Sequence, residues 1–126
     1  MSRPLIVLGL VLLCSAYANN QAAGGEEAQP AAVVQQLPKL LDLGSTRCIP
    51  CKKMAPILDE LKKEYAGRVD VEFIDVWVDR TMGEKYGVKA IPTQIFFDAD
   101  GKEVFRHTGF YGKEEIIAQF TKMGVK

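Results

Sequence analysis

The sequence is short of the features that define many protein classes. It has three cysteines, one histidine and one tryptophan in 126 residues, and its 16 basic and 16 acidic side chains cancel. Balanced charge gives no net field to draw in nucleic acid or an anionic membrane surface, so nucleic acid is not an expected partner. Three cysteines, two of them close together, do not make a disulfide framework. A single histidine leaves few soft ligands for a metal. No apolar run reaches the ~20 residues that a membrane-spanning helix needs. What remains is an ordinary globular composition, 48% hydrophobic and 25% charged, enough for one domain with a core.

The first residues read as an export signal. Arg3 supplies a positive start, Leu5 to Leu13 an apolar stretch, and Ala16-Tyr17-Ala18 a small-residue cleavage pattern. Residues 1–18 are therefore expected to be a signal peptide cut after Ala18, leaving a periplasmic or secreted protein. An uncleaved N-terminal anchor is the alternative. Lipidation at Cys14 is disfavoured by the large Leu13 before it. Residues 19–36 read as a flexible leader: Asn19 to Pro30 is rich in Asn, Gln, Ala, Gly and Glu without apolar periodicity. A short helix over Ala31 to Leu37, ended by Pro38, is the one element expected near it.

From Lys39 the pattern is regular. Lys39 to Gly44 is a strand, with Asp42 the one acid in Leu40-Leu41-Asp42-Leu43. Cys48 to Ala66 is a helix, with Met54, Ile57, Leu58, Leu61 and Tyr65 at three- and four-residue spacing, a kinking Pro56, and Gly67 as its stop. Val69 to Val78 is a strand that buries Val71, Phe73, Ile74 and Val76. Asp79 caps a short helix reaching Tyr86, and Gly87 ends it. Thr93 to Phe97 and Glu103 to Thr108 form a hairpin across Asp98 to Lys102, and Lys113 to Met123 is a helix with Ile116, Ile117 and Phe120 inward. Strands linked through helices are expected to run parallel and the hairpin antiparallel. The fold class is α/β, one mixed sheet with helices on both faces.

The chemistry is concentrated in Cys48-Ile49-Pro50-Cys51. If Cys48 opens the helix, its sulfur meets unpaired N–H groups and the positive end of the dipole, which favour the nucleophilic thiolate. Inert buried thiols and half of a zinc site, with His107 as a further ligand, are the competing readings. So short a loop makes stabilisation a poor reason for a bridge, and redox work is the better one. Cys48 at the exposed start is the attacking thiol; Cys51, one turn inside, resolves the mixed disulfide. Pro50 restricts the loop, and Ile49 offers an apolar surface to a substrate. No cofactor and no metal are expected.

From about Leu37 to Met123 the chain resembles the thioredoxin family. The resemblance rests on the Cys-x-x-Cys between a strand and a long helix, on Pro56 five residues after Cys51, and on Ile91-Pro92-Thr93, with Pro92 41 positions after Cys51. It implies a thioredoxin fold with a βαβαββα core over residues 37–126. It implies also a cis Ile91–Pro92 bond that brings the Ile91 backbone to the dithiol, where an extended substrate segment pairs with it. It makes Asp42, six residues before Cys48, a buried acid that accepts the Cys51 proton; an exposed Asp on a strand's polar side is the plainer reading. Gly109 matches a glycine that admits substrate, or is an ordinary turn residue.

Three positions depart from the family pattern. Arg47 replaces the usual Trp before the first cysteine, Ile49-Pro50 replaces Gly-Pro, and Phe73 stands where a lysine often pairs with the buried acid. Trp77 reads as a packing residue at the end of a strand. The function expected is an exported thiol–disulfide oxidoreductase, a reductant of other exported proteins. Its partners are then disulfide-containing or thiol-bearing exported proteins and a membrane thiol–disulfide reductase that recycles it, the chain itself being a monomer. A disulfide-forming oxidase or isomerase, or a non-turnover binder of a thiol-bearing client such as an apocytochrome, are the alternatives.

Overall fold

The computed structural model describes residues 36–126. The signal peptide, almost all of the leader and Cys14 lie outside the described residues. So does most of the short helix expected over Ala31 to Leu37, although Gln36 and Leu37 themselves are not helical. The elements are β1 (Lys39–Gly44), α1 (Ile49–Glu64), β2 (Asp70–Asp75), α2 (Arg80–Lys85), β3 (Thr93–Phe97), β4 (Glu103–Thr108) and α3 (Lys113–Lys122). They build one four-stranded sheet in the order β2-β1-β3-β4.

β1 is central and buried along nearly its whole length. It pairs parallel with β2 and antiparallel with β3, which pairs antiparallel with β4. The expectation of parallel pairing through α2 is therefore corrected for β3. The short α2 and the loop after it carry the chain across β1 to its far side, where β3 runs in the opposite sense. The sheet is mixed, as expected.

Alternation along β1 divides the core in two. Leu40 faces Met54, Leu58 and Leu61 of α1 and Ile116 and Phe120 of α3, with Val71 and Phe96 beside it. Leu41 and Leu43 face the other way, against Val76, Ile95 and the partly buried Tyr86, Val88 and Ile91. Asp42 and Gly44 share the face of Leu40. Pro56 lies inside α1 without ending it, and Gly67, at φ +76°, follows the C-cap Tyr65 by two residues.

β2 is shorter than the expected Val69 to Val78. Its last residue, Asp75, turns its carboxylate back onto the Trp77 and Val78 N–H groups at 2.9 and 3.3 Å, which closes a turn in place of more strand. Phe73 was expected to be buried and is 41% exposed, because β2 is an edge strand whose outer flank α1 leaves open.

Candidate active site

β1 ends at Gly44, and three residues carry the chain into α1. Buried Ser45 fixes that turn: its hydroxyl accepts from the Arg47 N–H at 3.2 Å and its carbonyl from the Cys48 N–H at 3.2 Å. The Asp75 carboxylate accepts from the Thr46 N–H at 2.9 Å and the Thr46 hydroxyl at 3.1 Å. One half-buried side chain thus ties the loop before the cysteines to the end of β2. The Thr46 backbone bond is the main reason its carboxyl titrates below the ordinary range.

Cys48 is the N-cap of α1, and its sulfur accepts from the Cys51 N–H at 3.4 Å. The first turn contains no acidic residue, so nothing there offsets the positive end of the helix. Cys48 and Cys51 form a disulfide with Cα atoms 5.2 Å apart. The two sulfurs are not equivalent, for Cys48 is partly exposed and Cys51 only 3% exposed. Cys51 packs against the backbone of Gly44, and a Cβ on that glycine would stand 3.0 Å from the Cys51 sulfur. Phe73 closes the same spot from the side, and a cavity of about 300 Å³ between Phe73, Cys51, Lys52 and Asp59 opens beside it.

Asp42 is fully buried, two residues before Gly44 on the same face of β1, about 7 Å back along the strand. Phe73 stands opposite it on β2 and Gln94 opposite it on β3. Where a lysine was the familiar partner, the Gln94 amide donates to Asp42 Oδ1 at 2.7 Å. Burial pushes the Asp42 carboxyl up to about 6, and the Gln94 N–H works against that rise. Gln94, also fully buried, was not singled out in the sequence. Its signal was present all the same: Thr93-Gln94-Ile95-Phe96-Phe97 has one amide in an apolar strand, just as Leu40 to Leu43 has one acid.

The Ile91–Pro92 bond is cis. The Pro92 carbonyl accepts from the Gly109 N–H at 2.8 Å, so these two positions are held side by side, Gly109 at φ +102°. Ile49 is 71% exposed at the start of α1, next to exposed Pro50 and Arg47. The Arg47 guanidinium lies over the Trp77 ring at 5.3 Å. Trp77 is half exposed and borders a surface hollow with Ile91, so its reading as a packing residue is corrected. It lost that role when β2 stopped at Asp75. His107, the candidate zinc ligand, is engaged elsewhere: its ring stacks on Tyr111 at 4.2 Å and its Nε2 lies 3.2 Å from the Phe110 carbonyl. Among the described residues, no three His, Cys, Asp or Glu side chains converge on a metal position.

A Cys-x-x-Cys disulfide at a helix start, with one sulfur at the accessible cap and one buried over a strand glycine, defines a thiol–disulfide oxidoreductase. Comparison with known proteins agrees. Residues 26–124 match the family profile of a thioredoxin-like domain. Thioredoxin of Staphylococcus epidermidis is 42% identical over 84 residues, which span 67% of this chain and 80% of that protein. Thioredoxin of Staphylococcus aureus is 41% identical over the same shares. A solved structure titled as that of a malarial protein has the same fold, with a TM-score of 0.66, covering 71% of this chain and all of that chain at 23% identity. The chain belongs to the thioredoxin family.

Proposed function

We propose that this protein is an exported reductant of disulfides in other exported proteins, with Cys48 as nucleophile and Cys51 as resolver. The observation that carries the assignment of roles is the asymmetry of the two sulfurs, one at the accessible helix cap and one buried. In the reduced protein the Cys48 thiolate attacks a client disulfide. A mixed disulfide forms and one client sulfur leaves as thiolate, taking a proton from solvent. Cys51 then gives its proton to the Asp42 carboxylate, and its thiolate attacks the Cys48 sulfur. The Cys48–Cys51 bond forms as the second client sulfur departs as thiolate and is protonated from solvent, to which Asp42 returns the Cys51 proton. The client gains two electrons and two protons, and the protein ends as the disulfide.

Ile49, Pro50, Ile91, Pro92 and Gly109 form the apolar and backbone surface for an extended client segment, with Arg47 and Trp77 at its border. Ile before Pro92, and the lack of a histidine between the cysteines, resemble the reducing members of the family. A membrane thiol–disulfide reductase returns the dithiol to its reduced state. A second reading, a disulfide-forming oxidant, is favoured by one feature: positive Arg47 next to Cys48 stabilises the thiolate and thus the reduced form.

Insulin reduction tests the reductant. The wild type should turn over with dithiol supplied, and Cys48→Ser should abolish it. Cys51→Ser should accumulate mixed disulfides through Cys48, seen as client adducts on non-reducing gels. Adducts that require Cys51 instead would reverse the assignment, and no dithiol-dependent turnover would leave only client binding.

A further inference from the structure

Asp42 and Gln94 occupy facing positions on β1 and β3, both fully buried, joined by one hydrogen bond of 2.7 Å from Gln94 Nε2 to Asp42 Oδ1. Their other two polar atoms, Asp42 Oδ2 and Gln94 Oε1, are the buried side-chain atoms that lack any hydrogen-bond partner among the described residues. Each is an acceptor. Two orphan acceptors on one already bonded pair are costly when buried, unless a donor joins them. A proton on Asp42 Oδ2 donated to Gln94 Oε1 would satisfy both at once. A primary amide and a carboxylic acid present donor and acceptor at matching spacing, so this second bond closes a two-point ring.

We propose that Gln94 is a positioning residue for the proton of the resolving step, holding protonated Asp42 in a two-point acid–amide pair. When Asp42 is ionised only the existing bond remains, and Oδ2 and Oε1 are left as opposed acceptors. When Asp42 receives the proton released by Cys51, the pair closes: the Cys51 S–H bond breaks, an Oδ2–H bond forms, and Gln94 Oε1 accepts from it. No electrons move in this step. They move afterwards, when the Cys51 thiolate attacks Cys48. The bond already present, from Gln94 Nε2 to Asp42 Oδ1, favours the ionised acid. The second bond forms only with the neutral acid, and in this proposal it is what offsets that preference when Asp42 takes up the proton.

The surroundings leave the pair to act largely alone. Across the sheet the row reads Phe73, Asp42, Gln94 and His107 on successive strands. From α1 the titratable group on this face is Cys51, with Lys52 and Asp59 lining the neighbouring cavity. From α3 the buried side chains are Ile116, Gln119 and Phe120, none of them charged. His107 is the other titratable group on the row, and Tyr111 stacks on it. A buried carboxyl pushed up to about 6 agrees with a group that changes protonation in the working range.

The inference of a proton relay rests on the reading of Cys51 as resolver; the acid–amide pair itself does not. Carbon-13 NMR titration of the reduced wild-type protein tests the pair without any assay of turnover. The Asp42 Cγ and Gln94 Cδ signals should move with one common midpoint, and Asp42→Asn should remove the Gln94 Cδ shift. A His107→Phe sample should keep both shifts, which separates them from titration of the imidazole. A Gln94 Cδ signal that stays flat while Asp42 titrates would overturn the pair. For the relay, Gln94→Met should slow resolution of a preformed Cys48 mixed disulfide about tenfold near neutral pH, about one lost hydrogen bond. It should also move the midpoint of that step's pH profile. A wild-type rate and profile would overturn the positioning role. Shared titration without any catalysed reduction would keep the pair and sink the reductant instead.

Discussion

At the scale of single residues, the site is built from polar groups placed where polar groups are expensive. Asp42 is the clearest case. Its carboxyl titrates at about 6 in the folded chain, raised by burial from an unfolded value near 3.8. Between those two values the folded state holds a proton that the unfolded state has lost. Stability therefore falls as pH rises through that window, and the loss is complete above the folded value. The size is about 3 kcal/mol at most, taking 1.36 kcal/mol per pK unit. Asp42→Asn should flatten this slope, which urea denaturation at pH 4.5 and 7.5 measures directly. An equally steep fall in the variant would mean that Asp42 is not its source. Asp75 and Glu103 contribute the opposite sign, since both carboxyls are held low, and their effect is confined to more acid pH.

At the scale of elements, the dithiol depends on how closely α1 approaches β1. Gly44 is what permits it. A Cβ there would meet the Cys51 sulfur at 3.0 Å, Phe73 at 3.2 Å and the Cys51 Cβ at 3.3 Å. Two of these belong to a cystine fixed at the helix start, so the crowding has little room to relax. Gly44→Ala should destabilise the oxidised protein by about 1–3 kcal/mol, read from the shift in urea midpoint at constant slope. A stability equal to wild type would show that the start of α1 gives way freely.

Most of these elements were legible in the sequence, and their failures have physical causes. The periodicity of α1 and α3, the Asp79 and Gly87 ends of α2 and the hairpin turn all follow from short-range chemistry, which the sequence carries locally. The end of β2 is local too, an Asp75 carboxylate that accepts from the Trp77 and Val78 N–H groups, but it is hidden in a run of strand-forming residues. Pairing order is non-local, and so the direction of β3 does not follow from the sequence. Within the site, Cys48 as cap could be anticipated from its place before the helix, and Asp42 as buried acid from the family resemblance. The Gln94 partnership could not, since it depends on register between β1 and β3.

At the scale of the whole molecule, the site occupies one end of the sheet, where β1, α1, the Pro92 loop and the turn after β4 meet. No helix among the described residues is long and apolar enough to cross a membrane. The export reading rests on residues 1–18, and it predicts that the mature chain recovered outside the cytoplasm begins at Asn19. Mass spectrometry of protein released from the periplasm checks this; an intact Met1 chain retained in the membrane fraction would indicate the anchor instead.

The direction of electron flow is the central question, and one number addresses it. Arg47 and a first helical turn without an acidic residue argue for an oxidant, whereas buried Asp42 on the Gly44 face of β1 and the Ile91–Pro92 bond argue for the proposed reductant. The balance is the reduction potential of the Cys48–Cys51 pair, measured by equilibration with glutathione or a reference dithiol. We predict a value near the ~−270 mV of thioredoxin. A value near ~−120 mV, that of a strong disulfide donor, would contradict the reductant and make this protein an oxidant.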